Sequence, residues 1–227
     1  MAMGVKKNKN RHNYAPLTRI TEPMVRDNVL FGAQLLEAMR ALGGLTAPRL
    51  VDTGSAYQHV GNADYSPASF YAATKEAFSS IVEFYAARHA YRVVTLELCD
   101  TYGSGDTRRK LIPIMIEAER NSIPMNMMPG DTLIDLVHVD DAVEAFIVAG
   151  QRVMTGNGRE TFAVRSGTPI TLGALFDAWA AARGRRLVAT WGARAPSAGD
   201  STVPWTRATV LPGWEARLSL SGVLSEL

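Results

Sequence analysis

The chain has one cysteine, Cys99, in 227 residues, so no internal disulfide can form. Histidine is nearly as scarce, with four scattered copies and neither a C-x-x-C nor an H-x-x-x-H spacing, which excludes the common zinc sites and dithiol redox chemistry. No window approaches the roughly 20 uninterrupted apolar residues of a membrane-spanning helix. Residues Met1 to Asn13 are polar and basic where a secretory signal would be apolar, and the expected location is the cytoplasm. The net charge of +2 is too small to suggest a nucleic-acid partner, and much of the excess lies in one run, Lys6, Lys7, Lys9 and Arg11, read as a solvated tail. No internal repeat or low-complexity segment is present.

What remains is a composition of 47% apolar and 20% charged residues, enough to fill a full-sized core. Thr21-Glu22-Pro23 predicts a helix start, followed by Val25, Val29, Leu30, Leu35, Leu36 and Met39 at helical spacing, with Gly43-Gly44 as the stop. Pro48 to Thr53 reads as a short buried strand released at Gly54-Ser55. A long helix follows from about Ala68 to Arg88, and Arg92 to Leu98 is a β-branched strand ending in Tyr102-Gly103-Ser104-Gly105-Asp106. Strand, helix, strand in that order implies a parallel sheet with a crossover helix.

Further along, helices are expected at Leu111 to Glu119, after an Asp140-Asp141 cap through Ala149, and at Leu172 to Ala182 behind Thr171. Strands are expected at Leu133 to Val139, Thr161 to Arg165 and Arg186 to Thr190. Beyond Trp191, proline, glycine and serine punctuate a less regular stretch, suggesting loops that reach over a site. The expected organisation is a basic arm (1–20), an α/β core (21–155) and a small carboxyl-terminal lobe (156–227).

Chemistry enters at Tyr71-Ala72-Ala73-Thr74-Lys75, because four residues along a helix place Tyr71 and Lys75 on one face, a turn apart. A nearby ammonium favours phenolate, so the pairing is expected to lower the tyrosine's pKa and suit it to proton transfer. Y-x-x-x-K alone is a weak signal, more often two surface residues. Thr53 strengthens it, since it stands at a strand's carboxyl end, where open parallel sheets present ligand-binding atoms.

The blocks Val51-Asp52-Thr53-Gly54-Ser55-Ala56-Tyr57-Gln58-His59 and Phe70-Tyr71-Ala72-Ala73-Thr74-Lys75 resemble extended short-chain dehydrogenase/reductases of the NAD-dependent epimerase/dehydratase kind. Among these the resemblance is closest to nucleotide-sugar 4-ketoreductases such as CDP-abequose and CDP-paratose synthases. Asp100-Thr101-Tyr102-Gly103, Leu133 through Asp141, and Leu211-Pro212-Gly213-Trp214 point the same way.

The resemblance implies an incomplete Rossmann-like parallel sheet and a catalytic set of Thr53, Tyr71 and Lys75. Asn28, within Arg26-Asp27-Asn28-Val29, would support the lysine. It further implies that Tyr71, Lys75 and Asp100 contact an NAD or NADP cofactor. Ser55, Asp100, Lys110, His138 and Arg194 would contact a nucleotide-sugar, beneath loops between Trp191 and Trp205. Asp140 and Asp141 read rather as helix caps, and His138 equally as a packed strand residue.

One departure is plain: the G-x-x-G-x-x-G turn that holds the dinucleotide pyrophosphate in such families is not found in these residues. The expectation is therefore a chain lacking the front half-sheet, with a raw sheet edge near Thr53 covered by homo-oligomerisation. Two classes stay open, an oxidoreductase or epimerase, and a remnant acting without a dinucleotide as an acid/base catalyst or a binding or partner subunit.

Overall fold

The computed structural model describes residues 17–42, 47–197 and 200–226. The basic run Lys6 to Arg11 and the Gly43-Gly44 stop lie outside them.

In chain order, α1 (Leu17–Val25) passes through a π-helical turn, Arg26–Leu30, into α2 (Phe31–Leu42). Then come β1 (Arg49–Ser55), two short 3-10 turns, α3 (Phe70–His89), β2 (Arg92–Leu98) and β3 (Asp100–Tyr102). These lead to α4 (Leu111–Asn121), β4 (Met125–Asn126), β5 (Leu133–Ile134), β6 (Leu136–His138) and α5 (Val139–Thr155). The chain continues through β7 (Arg159–Val164), β8 (Ile170–Thr171), α6 (Leu172–Arg183), β9 (Ala189–Thr190) and α7 (Leu220–Val223).

The main sheet is parallel, in the order β1-β2-β7, with Thr53 opposite Leu96 and Leu96 opposite Phe162. It is the α/β arrangement that strand-helix-strand order implied. Beyond β7, Ala163 N donates to Thr209 O at 2.9 Å and Leu211 N to Ala163 O at 3.4 Å, so the later chain borders that side. Among the described residues nothing pairs along the outer side of β1.

Several elements begin or end differently from the sequence expectation. Pro23 lies inside the first helix, which starts at Leu17. Proline costs an intrahelical hydrogen bond, and the ladder widens to π geometry just afterwards. The predicted strand Leu133 to Val139 is two pieces, β5 antiparallel to β8 and β6 parallel to β3. Asp140-Asp141 does not cap α5. His138 does, its side chain accepting from Asp140 N. The predicted strand Arg186 to Thr190 shortens to Ala189–Thr190, paired with β4.

The division in space also departs from a break at residue 155. β7, which falls after it, is a strand of the main sheet, whereas α4 and β4, which fall before it, pack with α6 and α7 around Met115, Leu175 and Trp179. Glu119 ties α4 to α6. It accepts from Trp179 Nε1 at 3.0 Å and meets Arg183 Nη2 at 2.7 Å, and the Arg183 hydrogen bonds hold its carboxyl below the usual range.

One face of the sheet carries α2 and α3, joined through Leu36, Phe78, Val82, Tyr85 and Tyr91. The other carries α5, whose Ala145 and Ala149 pack on Val94 and Leu96. Burying both faces explains the continuous apolar run of β2. Trp214 closes this layer by donating Nε1–H to Asp141 O at 2.8 Å, while Asp141 Oδ2 accepts from Leu218 N at 2.9 Å.

The α2–α3 contact leaves no room at Gly32, where an added Cβ would lie 2.2 Å from the Phe78 ring. Gly32→Val is expected to destabilise the protein by about 2–3 kcal/mol, read as a lower urea midpoint, because the overpacked ring cannot move without opening the layer. An unchanged midpoint would contradict this packing.

Candidate functional site

The carboxyl end of β1 sets the first part of the site. The strand stops at Ser55, whose buried hydroxyl accepts from Tyr57 N at 3.3 Å, while Gln58 Oε1 accepts from Ser55 N at 2.9 Å. This reciprocal cap turns the chain sharply away from the sheet. Gln58 also donates to Glu76 Oε2 at 2.7 Å, fastening the turn to α3.

Helix α3 starts at a Ser69 cap and places Tyr71 and Lys75 on consecutive turns. Lys75 Nζ donates to the backbone carbonyl of Thr53 at 3.1 Å and lies 5.8 Å from the Tyr71 ring centre. Asn28, in the π-helical turn, donates to Thr74 Oγ1 at 2.9 Å, and Thr74 Oγ1 donates to Tyr71 O at 2.8 Å. Asn28 therefore grips the turn of α3 that bears both residues, rather than touching Lys75.

The expected acidification of Tyr71 is corrected. Burial raises its pKa, and the charge that opposes the rise is the Arg108 guanidinium. The ammonium of Lys75 is turned toward the Thr53 carbonyl, so it does not hold the phenol oxygen.

A second cluster forms where β3 begins. Asp100 Oδ2 accepts from the Tyr57 hydroxyl at 2.7 Å, and Asp100 Oδ1 from Lys110 Nζ at 2.6 Å. Burial, then Asp100, push the Tyr57 phenol far up, so it stays a hydrogen-bond donor. This cluster walls a cleft of about 710 Å³ between the sheet's carboxyl end and the lobe, with Arg109, Lys110, Asn126 and Arg194 on its border. Arg194 is held by both oxygens of Asp200 at 2.9 Å. The Arg194 hydrogen bond, chiefly, lowers the Asp200 carboxyl to about 2.

Three of the sequence-derived candidates, Asp100, Lys110 and Arg194, thus share one cleft. Thr53, Tyr71 and Lys75 do not line it; the Arg108 guanidinium is close enough to feel both Tyr71 and Asp100. Arg108 donates to Thr101 Oγ1 at 3.3 Å and to Asp106 at 2.8 Å. His138 borders neither the cleft nor the smaller recess beside it; it is buried behind Tyr102, their rings 5.2 Å apart.

Sequence reading passed over Tyr57, Arg108, Asp135 and His59. Tyr57, His59 and Asp135 fall inside the very blocks that carried the resemblance, but nothing local shows that their side chains turn inward. His59 is buried, stacked 3.9 Å from the Trp205 ring, with Nδ1 2.7 Å from Asp64 O and Nε2 3.3 Å from Glu97 Oε1. That last contact has ion-pair distance but not hydrogen-bond alignment. Burial pulls the His59 pKa down, but the Glu97 carboxylate and the two loop carbonyls together outweigh it, and the net direction is up.

Residues 18–164 match the NAD dependent epimerase/dehydratase family, and the chain belongs to that family. It is similar to a CDP-abequose synthase of Salmonella typhimurium, 32% identical over 78 residues, which are 34% of this chain and 26% of that protein. A CDP-abequose synthase of Yersinia pseudotuberculosis is 27% identical over 107 residues, 45% of this chain and 36% of its own length. The matched stretches thus span about a quarter and about a third of these curated relatives. In fold the chain is similar to a UDP-glucose-4-epimerase of Stenotrophomonas maltophila, solved with bound NAD and formylated UDP-arabinopyranose. The two are 20% identical at a TM-score of 0.79, over 91% of this chain and 69% of the other.

The residues present suit the nicotinamide-ribose end of a dinucleotide. Lys75 gives one hydrogen bond to Thr53 O, and the Tyr71 hydroxyl makes none among the described residues, so donors on both remain for a ligand.

Because the His59 pKa is raised in the folded protein, its contribution to stability is complete below the unfolded value of about 6.5 and is lost as pH rises through the folded value. Melting temperatures of the wild type and of His59→Phe, compared from pH 5 to 9, are expected to converge toward the alkaline end. A gap that widens with pH would refute the charged pair.

Proposed function

We propose that the chain acts, within this family, as a cytoplasmic nucleotide-sugar oxidoreductase or epimerase in which Tyr71 transfers the proton. The single observation that carries the reading is the junction of β1 and α3, where Lys75 is anchored on Thr53 O and Tyr71, its hydroxyl without a partner among the described residues, stands one turn away. A phenol whose pKa is raised remains protonated at neutral pH, which suits it to donate to a sugar keto oxygen.

Lys75 would bind the nicotinamide ribose and Thr53 would orient the sugar. Asn28 would hold the α3 turn in register. Asp100 and Lys110 would meet the sugar or its diphosphate, and Arg194 would reach the diphosphate once a ligand competes with Asp200 for its guanidinium. Bound NAD or NADP would supply or accept the hydride at the sugar carbon. The likeness of the relatives, CDP-abequose synthases and a UDP-sugar epimerase, supports a nucleotide-sugar as ligand.

A second reading, a binding or partner subunit or a catalyst working without the dinucleotide, is favoured by one observation: the cleft bordered by Asp100, Lys110 and Arg194 excludes Tyr71, so a ligand can occupy it without engaging the proton donor. We also propose a homo-oligomer, since Phe31 is 63% and Phe84 52% exposed on the outer surfaces of α2 and α3.

Two measurements test these readings. With NADH or NADPH and a CDP- or UDP-4-keto-6-deoxyhexose, Tyr71→Phe is expected to lower kcat by at least about 100-fold while leaving nucleotide affinity unchanged. Equal activity of the variant would overturn the role of Tyr71, and ligand binding with no dinucleotide binding at millimolar concentration would favour the second reading. Sedimentation at micromolar concentration is expected to show a dimer or larger, and a clean monomer would dismiss the oligomer.

A further inference from the structure

Next to the large cleft lies a recess of about 40 Å³ that shares Tyr57, Asp100, Ile134 and Ser201 with it as walls. One stretch of the later chain borders both. Asp200 and Ser201 line the cleft, and Ser201, Pro204 and Trp205 line the recess. Further on, the chain is held at Thr209, whose carbonyl accepts from Ala163 N of β7.

Between these points the stretch is a strap fastened in one place. Among the described residues, every hydrogen bond or ion pair that Ser201 to Ala208 make with other parts of the chain goes to the loop after Gln58. Thr206 N donates to Asn62 Oδ1 at 2.9 Å, Asn62 Nδ2 donates to Thr206 Oγ1 at 3.2 Å, and Arg207 Nη1 lies 3.0 Å from Asp64 Oδ1. These contacts are exposed to water and hold weakly. Trp205 is the one buried residue of the strap, and it belongs to none of the three apolar cores. Its ring lies flat on the His59 imidazole, with 3.9 Å between centres and 6° between planes. The strap is therefore anchored on a titratable ring.

The surroundings of His59 make its charge matter. Glu97 of β2 is buried with Oε1 3.3 Å from His59 Nε2, and among the described residues His59 is its only ion-pair partner. On the other side of the ring, Nδ1 faces the carbonyls of Ala63 and Asp64. The remaining charged groups nearby are engaged elsewhere, the Asp64 carboxylate with Arg207 and Glu76 of α3 with Gln58. An imidazolium gains both from the indole face and from the buried carboxylate. A neutral imidazole gains from neither and leaves Glu97 buried without a counter-charge, a cost that is relieved when Trp205 lifts and water enters. The raised pKa of His59 agrees with this arrangement.

We propose that His59 and Trp205 form a proton-operated latch: with His59 protonated the strap is fastened along the cleft, and with His59 neutral Trp205 lifts and that wall loosens. The proposal rests on the nucleotide-sugar reading above for the ligand retained, and adds the regulation of that site, tighter binding on the acid side. Because the folded protein holds the proton more firmly than the unfolded chain does, the latch opens as pH rises above about 6.5.

Acrylamide quenching of tryptophan emission reads the latch without a ligand. In the wild type the accessible share of the emission is expected to rise in one step between pH 6 and pH 8.5, and Trp205→Phe is expected to lack that step. Calorimetric titration of the full chain with CDP-glucose and UDP-glucose is expected to give an affinity about three- to tenfold lower at pH 8.5 than at pH 6, since one pKa unit is a tenfold change in an equilibrium. His59→Phe keeps a ring against Trp205 but takes up no proton, and its affinity is expected to be the same at both pH values. Shielding of the wild-type tryptophans that does not change with pH overturns the latch, and so does a wild-type affinity that ignores pH while the shielding changes. If the protein binds neither sugar nucleotide at either pH, the nucleotide-sugar reading fails, and the quenching by itself upholds or overturns the latch.

Discussion

The site is organised around the carboxylate of Asp100, held between a phenol from the β1 turn and an ammonium from the loop before α4. Tyr57 and Lys110 lie far apart in the chain, and only the start of β3 brings a common acceptor to both. This contact fixes the loop that carries Arg108 and Arg109 against the turn that follows β1. It therefore sets the wall shared by the large cleft and the small recess. A charged group gripped by two donors is also well neutralised, which lets acidic and basic side chains crowd one end of the sheet without an uncompensated charge.

Around that contact two groups of side chains are held apart. Tyr71 and Lys75 on α3 are positioned by three independent hydrogen bonds: Lys75 to the Thr53 carbonyl, Asn28 to Thr74, and Gln58 to Glu76. The opposite wall of the cleft is assembled from the lobe, where α4, α6 and the later loops meet, with Glu119 as the shared acceptor. His59, stacked on Trp205, joins the later chain to β2 through Glu97.

Much of this was legible along the chain. The parallel sheet follows from β-branched runs separated by helix-length segments, and β2 and α6 occupy the predicted residues almost unchanged because their caps and apolar runs are local signals. The Tyr71–Lys75 spacing is likewise local, and it puts the pair on one face of α3 as expected. The errors share a cause. Asp140-Asp141 looks like a cap in text, yet His138 is nearer the helix start and faces the free N–H, while Asp141 turns to the later chain at Leu218. The strand expected from Leu133 to Val139 divides because β8 and β3 claim its two ends from opposite sides. Tyr71 was expected to be acidified by its helical neighbour, but burial and the direction of the Lys75 ammonium decide the sign.

By itself the sequence determined the element order, the cap at Thr171, the pairing of tyrosine with lysine, and the family, since each depends on residues close together in the chain. Tertiary structure alone decided that Asp100 joins Tyr57 to Lys110, that β7 completes the main sheet, and that Asp135 keeps a buried oxygen without a donor. The reason is physical. Periodicity and capping act within a turn or two of chain, whereas burial, charge compensation and cavity shape depend on what distant segments bring to the same place.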